Sequence, residues 1–254
     1  MSRNFELLQK IGREQSLYAT TTAEEPIREM EPPPVVVPVG SRLEIQGAEL
    51  EEITKLVQRV FLLSGNDAPR TVVFSGAEPG NGCSWVCARV AEVLAGQVSG
   101  SVCLVDANLR NPGLSGQFAV ENLYGLTDAL RKREPVRSFA QPLSCPKLWL
   151  VSAGSPAEDG QSLLSSERMR LRMAELRTEF DYVLIDTPAI SSSNDATVVG
   201  AATDGLVLVL KANSSRRESA RGAINDLRAA KVRVLGAVLN QRTFPIPQSI
   251  YDKL

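Results

Sequence analysis

The sequence predicts an α/β fold in which a doubly wound, mostly parallel sheet carries helices on both faces. Short, nearly continuous runs of Val, Leu and Ile alternate with segments of helical periodicity, as expected for strands buried on both sides. A Gly-rich loop joins the first apolar run to a helix, and two later runs each end in an aspartate. Because parallel sheets bind ligands at the carboxyl ends of their strands, we expect these features to form one site.

The predicted core domain spans residues 47–254 and begins with a helix near residues 49–63. One apolar stripe on this helix identifies its core-facing side, and it consists of Ile53, Leu56, Val57, Val60 and Phe61. The predicted strands are residues 71–75, 101–106, 148–152, 182–186, 205–210 and 232–239. Stripes of the same kind predict three helices between them, through Val86, Val90, Val93 and Leu94, through Met169, Met173, Leu176 and Phe180, and through Ala220, Ala223, Ile224 and Leu227. Ser215 and Glu218 have the spacing of a capping box for the last of these helices.

Residues 1–46 form a predicted N-terminal extension outside this domain. A short helix is expected at about residues 4–14, followed by a proline-rich stretch at residues 31–38. Prolines at this density favour extended polyproline conformation, so the stretch reads as a spacer, with an interaction segment as the alternative.

Composition limits the classes of function. The 254 residues are 43% hydrophobic, which suffices for one large domain and a tail. The net charge of −1 gives no electrostatic argument for nucleic acid as a partner. Since no apolar stretch is long enough to cross a bilayer and the start lacks a signal-peptide pattern, we expect a cytoplasmic protein.

The chain contains no histidine, which excludes Ser-His-Asp and Cys-His catalysis and every metal site that uses imidazole. The four cysteines are not spaced as paired zinc-binding motifs, and we interpret them as reduced, structural residues. Cys83 is the exception, because a thiol at a helix N-terminus can have a lowered pKa. A redox-sensitive Cys83 is one hypothesis, and an inert substitution is the other.

The Gly-rich loop at residues 76–84 has the pattern of a P-loop, a strand followed by glycines and a serine at a helix start. In a P-loop the residue before that serine is a lysine, which neutralises charge on the terminal phosphates. Here it is Cys83, and a thiol cannot do the same. The sequence therefore predicts a nucleotide-binding fold whose enzymatic chemistry is impaired.

Two carboxylates accompany the loop, since the strand 102–106 ends in Asp106 and the strand 182–186 ends in Asp186. Mg²⁺ binds oxygen ligands, typically one or two carboxylates together with phosphate oxygens and, in P-loops, a serine hydroxyl. Ser84, Asp106 and Asp186 are thus the candidate metal ligands. Two such acids beside a P-loop favour a metal site over acids that merely end strands in solvent.

With these motifs in place, residues 52 to about 241 resemble the bacterial tyrosine kinases of capsule and exopolysaccharide assembly. This family is a branch of the MinD/ParA-like (SIMIBI) P-loop ATPases. The resemblance rests on the sequence blocks PGNGCS, LVDANLRNP, GLTDAL, SLLSSERM and FDYVLIDTP. It implies ATP or ADP and Mg²⁺ as cofactors. It also implies catalytic roles for Asp106, which would assist the metal and the attacking hydroxyl, and for Asp186. The residues that would contact nucleotide are Gly80, Asn81, Gly82, Cys83 and Ser84 around the phosphates, Arg110 near them, and Asn240 at the adenine.

The sequence departs from the family pattern at several functional positions. Cys83 replaces the lysine, and Asn108 replaces the second acid of a DxD pair. The family's oligomerisation motif ExxRxxR reads Glu52-x-x-Lys55-x-x-Gln58, so an oligomeric ring is not expected. Where relatives carry a tyrosine-rich tail as phosphoacceptor, this chain has Tyr251 alone.

Three functions remain open from the sequence. The first is a weak or inactive kinase-like regulator or scaffold of polysaccharide export. Its partner would be the cytoplasmic tail of a membrane-anchored chain-length regulator, so it would meet the membrane only indirectly, at the inner face. The second is an active tyrosine autokinase or ATPase that uses a non-standard cation, with Arg89 and Lys211 as candidates. The third, a partitioning-type ATPase, is disfavoured by the lack of a basic stripe and of a C-terminal amphipathic helix.

Overall fold

The computed structural model describes residues 47–63 and 65–242, except for the side chain of Asn66. The predicted N-terminal helix, the proline-rich segment and Tyr251 lie outside the described residues. The boundary predicted at residues 46 and 47 stays a prediction.

In the described part of the chain, helices and strands alternate as the sequence pattern predicts. The strands are β1 (Thr71–Gly76), β2 (Val102–Asp106), β3 (Gln141–Pro142), β4 (Leu148–Val151), β5 (Tyr182–Thr187), β6 (Gly205–Lys211) and β7 (Val234–Asn240). The helices are α1 (Ala48–Val57), α2 (Cys83–Gln97), α3 (Leu114–Gln117), α4 (Leu126–Arg131), α5 (Gly160–Leu164), α6 (Glu167–Glu179), α7 (Asp195–Gly200) and α8 (Arg217–Ala229). Single turns of 3₁₀ helix occupy Gly65–Asp67 and Val136–Phe139.

The described strands form one sheet of seven in the order β3-β4-β2-β5-β1-β6-β7. All neighbouring pairs are parallel except β3 and β4, which are antiparallel. The sequence predicted six of these strands and missed only the two-residue β3. The predicted doubly wound, mostly parallel architecture is therefore confirmed. The parallel order brings the carboxyl ends of β1, β2, β5 and β6 to one edge.

Two apolar cores, one on each side of the sheet, hold the helices in place. Alternate strand residues such as Val72 and Phe74 pack in one core with α1 and α2. The intervening residues, Val73 among them, pack in the other core with α6 and the helices beside it. Burial of both faces explains why the strands read as continuous apolar runs rather than as alternating ones.

The first helix does not continue as an α-helix to residue 63. It passes at Gln58 into a π-helical turn, Gln58–Leu62, in which the Leu63 N–H donates to the Gln58 carbonyl at 2.8 Å. Val60 and Phe61 of this turn are buried. The wider turn thus keeps the predicted apolar stripe on the core side beyond the last α-helical residue.

The predicted capping box at the start of α8 is wrong. The residue that precedes the helix is Arg216, and no side chain caps it. The hydroxyl of Ser215 instead accepts a hydrogen bond from the Lys211 N–H at 2.9 Å, which closes the turn after β6.

Among the described residues, no helix combines the length and the apolar character that a membrane span requires.

Candidate functional site

The Gly-rich loop runs from the end of β1 to the start of α2, as a phosphate-binding loop requires. Gly80 and Gly82 have positive φ angles of 80° and 75°, and Gly82 is the residue before the first turn of α2. A Cβ atom at Gly82 would also meet the side-chain amide of Asn240, which would have to shift. The left-handed backbone is therefore the main reason for glycine at this position.

Three side-chain hydrogen bonds hold the loop in this shape. The Asn81 amide donates to the Val209 carbonyl of β6 at 2.9 Å, and the Asn240 amide at the end of β7 donates to the Asn81 carbonyl at 2.9 Å. From α8, the Ser219 hydroxyl donates to Oε1 of Glu78 at 2.7 Å. The nucleotide contacts expected of Asn81 and Asn240 stay a prediction, and in the structure their side-chain amides brace the loop.

The two predicted acids lie side by side, because Asp106 and Asp186 are paired in register on the neighbouring strands β2 and β5. Both are fully buried. The Asp106 carboxylate accepts hydrogen bonds from the backbone N–H groups of Asn108, Gly113 and Leu114, each at 3.1 Å. Burial raises the pKa of Asp106 to about 6, although these three donors act in the opposite direction.

Asp186 is the more exceptional of the pair. Neither carboxylate oxygen has a hydrogen-bond partner among the described residues, although both are buried. Burial and the charge of Asp106 raise the pKa of Asp186 to about 7, while the neighbouring Ser84 hydroxyl and Cys83 thiol lower it. A buried polar group without a partner costs free energy, so this carboxylate is poised to take a cation or a proton.

The donor set fits Mg²⁺ bound to a nucleotide. The described residues contain no cluster of three or more Asp, Glu, Cys or His side chains that would hold a metal alone. Mg²⁺ does not need one, because it typically keeps several waters and takes one or two carboxylates plus phosphate oxygens. Asp186, with two unpartnered oxygens, and Ser84 beside it fit that pattern, and Asp106 adds negative charge from the next strand.

Cys83 is the first residue of α2 and is half-buried. Burial, followed by the charge of Asp186 and the proximity of Cys87, raises the pKa of the Cys83 thiol well above its ordinary value. This direction is opposite to the lowered pKa on which the hypothesis of a redox-sensitive Cys83 rests, and it favours the inert substitution. A neutral thiol stands where a P-loop has its ammonium group.

Arg89 and Lys211 were the two cations considered as substitutes for the missing lysine, and Arg89 contacts other residues. Its side chain is fully buried, its Nη1 lies 2.5 Å from Oε2 of Glu92, and its guanidinium lies 5.7 Å from the Phe118 ring centroid. Lys211 ends β6 and is paired in register with Asn240, the residue that braces the loop. The backbone of Lys211 thus lies at the same edge of the sheet as the loop.

Arg110 lies in the loop after β2 and is exposed, with its Nη2 3.3 Å from Oε1 of Gln161. Asn108, which replaces the second acid, accepts a hydrogen bond from the Asn111 N–H at 3.2 Å and so stabilises this loop locally. Arg110 also lines a cleft of about 330 Å³ together with Gln161 and residues 190–194. Sequence reasoning missed this cleft, and its one signal was the run of three serines after β5.

A phosphate loop between β1 and α2, with acids at the ends of β2 and β5, defines the fold class as the P-loop fold of the MinD/ParA type. No protein-family model matches the chain. It is 34% identical over 171 residues to tyrosine-protein kinase YwqD of Bacillus subtilis, covering 67% of this chain and 72% of that protein. It is 28% identical over 204 residues to tyrosine-protein kinase CpsD of Streptococcus agalactiae, covering 80% of this chain and 88% of the relative. The chain belongs to the bacterial tyrosine-protein kinase family.

Solved structures agree on the fold. The kinase domain of Escherichia coli tyrosine kinase ETK aligns with a TM-score of 0.69 at 23% identity, covering 78% of this chain and 79% of that one. A cobyrinic acid a,c-diamide synthase from Mycobacterium smegmatis, solved with an ATP analogue and magnesium, aligns with a TM-score of 0.58 at 16% identity. That match covers 67% of this chain and 72% of the synthase.

Proposed function

We propose that this chain is a kinase-like regulator or scaffold of exopolysaccharide or capsule synthesis, which binds nucleotide weakly and transfers phosphate poorly or not at all. The observation that carries the proposal is the neutral Cys83 thiol at the position of the phosphate-loop lysine. Asn108, which stands where the family pattern has a second acid, is also expected to lower the rate of phosphoryl transfer.

The missing charge has a large expected effect on phosphoryl transfer. Transition-state charge spreads over the phosphoryl oxygens, and a single charge-assisted contact to it is worth several kcal/mol. Since about 1.4 kcal/mol corresponds to a factor of ten in rate, loss of the lysine alone lowers turnover by orders of magnitude.

Nucleotide binding depends on parts of the site that are retained. The loop keeps its two left-handed glycines, and α2, with 15 residues, directs its N-terminal amides and positive dipole end at the loop. Mg²⁺ would be held by Ser84 and Asp186, and it would neutralise phosphate charge. Asp106 would orient the loop that carries Arg110 through its three backbone hydrogen bonds. These residues therefore support ATP or ADP as ligands at reduced affinity.

The partner we propose is the cytoplasmic tail of a membrane-anchored regulator of polysaccharide chain length, which would recruit this domain to the inner face of the membrane. Membership of the tyrosine-kinase family supports this proposal. In α1, Lys55 forms ion pairs with Glu51 at 2.7 Å and Glu52 at 3.0 Å. A lysine so occupied within its own helix supports the proposal that the chain does not assemble through this motif into a ring.

The experiment compares nucleotide binding and turnover by wild type, Cys83→Lys and Cys83→Met. Methionine is the matched control, because it lengthens the side chain without adding charge. Titration calorimetry with ADP and Mg²⁺ should give at least tenfold tighter binding for Cys83→Lys alone. ATP turnover by wild type as fast as by Cys83→Lys, or phosphate gained on Tyr251, would contradict the proposal. Equal gains from lysine and methionine would show that side-chain volume matters rather than charge.

The second candidate is an active autokinase or ATPase in which Lys211 supplies the cation. The placement of Lys211 at the end of β6, in register with Asn240, favours it. If wild type turns over ATP, Lys211→Ala should abolish that activity, and Cys83→Lys should restore it.

A further inference from the structure

The outer flank of α8 carries a stripe of arginines that takes no part in the site described above. Arg217, Arg221 and Arg228 follow one another at spacings of four and seven residues, so they lie on one side of the helix. All three side chains are exposed. At about 1.5 Å per residue, the stripe is about 17 Å long. The expectation that the chain has no basic stripe is therefore wrong.

The contacts of the opposite flank show which way this stripe faces. Ser219 lies two residues after Arg217, on the other side of the helix, and its hydroxyl donates to Oε1 of Glu78 in the Gly-rich loop at 2.7 Å. Ala223 and Leu227 are buried beneath α8. The arginine stripe therefore faces away from the Gly-rich loop, toward β7, which pairs only with β6 among the described strands.

Apolar side chains lie beside the stripe. Leu239 of β7 is 56% exposed. Its register partner Leu210 packs in the core cluster that contains the buried residues of α8, so Leu239 lies on the face of the sheet that α8 covers. Ile224, within the stripe itself, is only half-buried. The surface thus combines positive charge with accessible apolar groups.

Neighbouring acids do not neutralise this charge. Residues 211–233 contain only two acids, Glu218 and Asp226, against seven basic residues. The seven are Lys211, Arg216, Arg217, Arg221, Arg228, Lys231 and Arg233. None of the seven forms an ion pair with another of the described residues. Since the whole chain has a net charge of −1, this region is a local positive surface on a nearly neutral protein.

We propose that the outer flank of α8, together with Leu239, binds the surface of a membrane that contains anionic phospholipids. Basic residues clustered on an amphipathic helix are attracted by the negative surface potential of such a membrane, and apolar side chains beside them enter its interface. A flat bilayer contacts a straight stripe along its whole length. The contact goes beyond the recruitment proposed above, because it needs neither a protein partner nor bound nucleotide.

Nucleic acid would be attracted by the same charges, but the rest of the surface favours lipid. Phosphate contacts are made by basic and polar groups, so an exposed leucine gains nothing from them. The sequence pI of about 5.8 is also far below the range typical of nucleic-acid-binding domains.

The test is co-sedimentation of the full chain with vesicles at low salt. One set of vesicles contains phosphatidylcholine and phosphatidylglycerol in equal parts, and the other contains phosphatidylcholine alone. The triple variant Arg217→Gln, Arg221→Gln and Arg228→Gln removes the stripe, and Leu239→Ser removes the exposed apolar side chain. Titration with a short DNA duplex under the same conditions tests the alternative ligand.

A second triple variant is the matched control. Arg59→Gln, Arg133→Gln and Arg170→Gln remove the same charge from arginines that are exposed on other parts of the surface. Circular dichroism checks that each variant is folded. Titration with ADP and Mg²⁺ reports separately on the Gly-rich loop.

We expect wild type to bind the anionic vesicles and not those of phosphatidylcholine alone. Its affinity should be about 100-fold higher than that of the stripe variant, because each basic residue contributes about fivefold at an anionic surface. Leu239→Ser should give a smaller loss of vesicle binding, and the control variant should bind nearly as well as wild type.

Absence of binding to anionic vesicles, or equal losses in the two triple variants, would overturn the proposal. Binding of wild type to DNA but not to anionic vesicles would overturn it too and would identify nucleic acid as the ligand. Vesicle binding without ADP binding would support the lipid contact and contradict nucleotide binding at the loop. ADP binding without vesicle binding would overturn the lipid contact and leave the proposed function intact.

Discussion

Asp186→Asn tests whether the charge of the buried Asp186 carboxylate destabilises the fold when no cation is bound. Its pKa rises from 3.8 in its reference state to about 7 in the fold. A carboxyl group whose folded pKa is raised binds more protons in the folded state than in the unfolded one. Its burial therefore lowers the free energy of unfolding progressively as the pH rises from about 4 to about 7.

The size of the effect follows from this shift. A rise of about three pKa units, at about 1.4 kcal/mol each, corresponds to about 4 kcal/mol above pH 7. Asparagine keeps the shape of the side chain and removes the charge, so up to this amount should be regained at pH 8. At pH 5 the gain should be roughly a third as large, because the wild-type carboxyl is still mostly protonated in the fold.

The assay is urea unfolding of wild type and Asp186→Asn at pH 5 and pH 8, with EDTA and without nucleotide. Asp181→Asn is the control, since backbone and hydroxyl hydrogen bonds from Ser101 and the charge of Arg70 lower the pKa of Asp181. Its stabilisation is complete above about pH 4, so the loss in this variant should be the same at both pH values. A gain in Asp186→Asn that does not grow between pH 5 and pH 8 would refute the reasoning.

Two further predictions concern the loop. Gly82→Ala should lower the free energy of unfolding by about 1–3 kcal/mol, because alanine is strained at φ 75° and its Cβ meets Asn240. Gly96→Ala, near the C-terminal end of α2 with open space around it, should not destabilise the chain. Thermal unfolding compares the two variants, and equal losses would contradict the argument from backbone strain. The raised pKa of Cys83 predicts alkylation by iodoacetamide at pH 7.5 at least tenfold slower than that of free N-acetylcysteine. Mass spectrometry of the labelled peptide measures the rate, and labelling as fast as the free thiol would show that the thiolate is present after all.

The sheet and the site differ in how far the sequence predicts them. Strands such as β5 are continuous apolar runs because both faces are buried, so their positions follow from composition alone. The pairing of Asp106 with Asp186 also follows, since both acids end parallel strands. The direction of the Cys83 pKa does not, because it depends on burial and on a carboxylate 103 positions away in the chain.

Hydrogen bonds between side chains and residues far away in the sequence could not be predicted either. Nothing local in the sequence indicates that the Asn240 amide would reach the Asn81 carbonyl, a separation of 159 residues. The prediction of a capping box was wrong for a similar reason, since the Ser215 hydroxyl accepts a hydrogen bond from the Lys211 N–H instead of capping α8. In both cases a polar side chain had two plausible partners, and only the three-dimensional arrangement selects one.

The brace from Asn240 makes the shape of the Gly-rich loop a property of the whole sheet. β7 is the last strand on its side, joined only to β6 among the described strands, and its final residue reaches across to the loop. A fragment that stops at β6 would contain every residue of the phosphate-binding motif yet lack two of its three braces, the Ser219 hydroxyl and the Asn240 amide. The motif residues alone therefore do not fix the conformation of the loop, which also depends on β7, the last strand of the sheet.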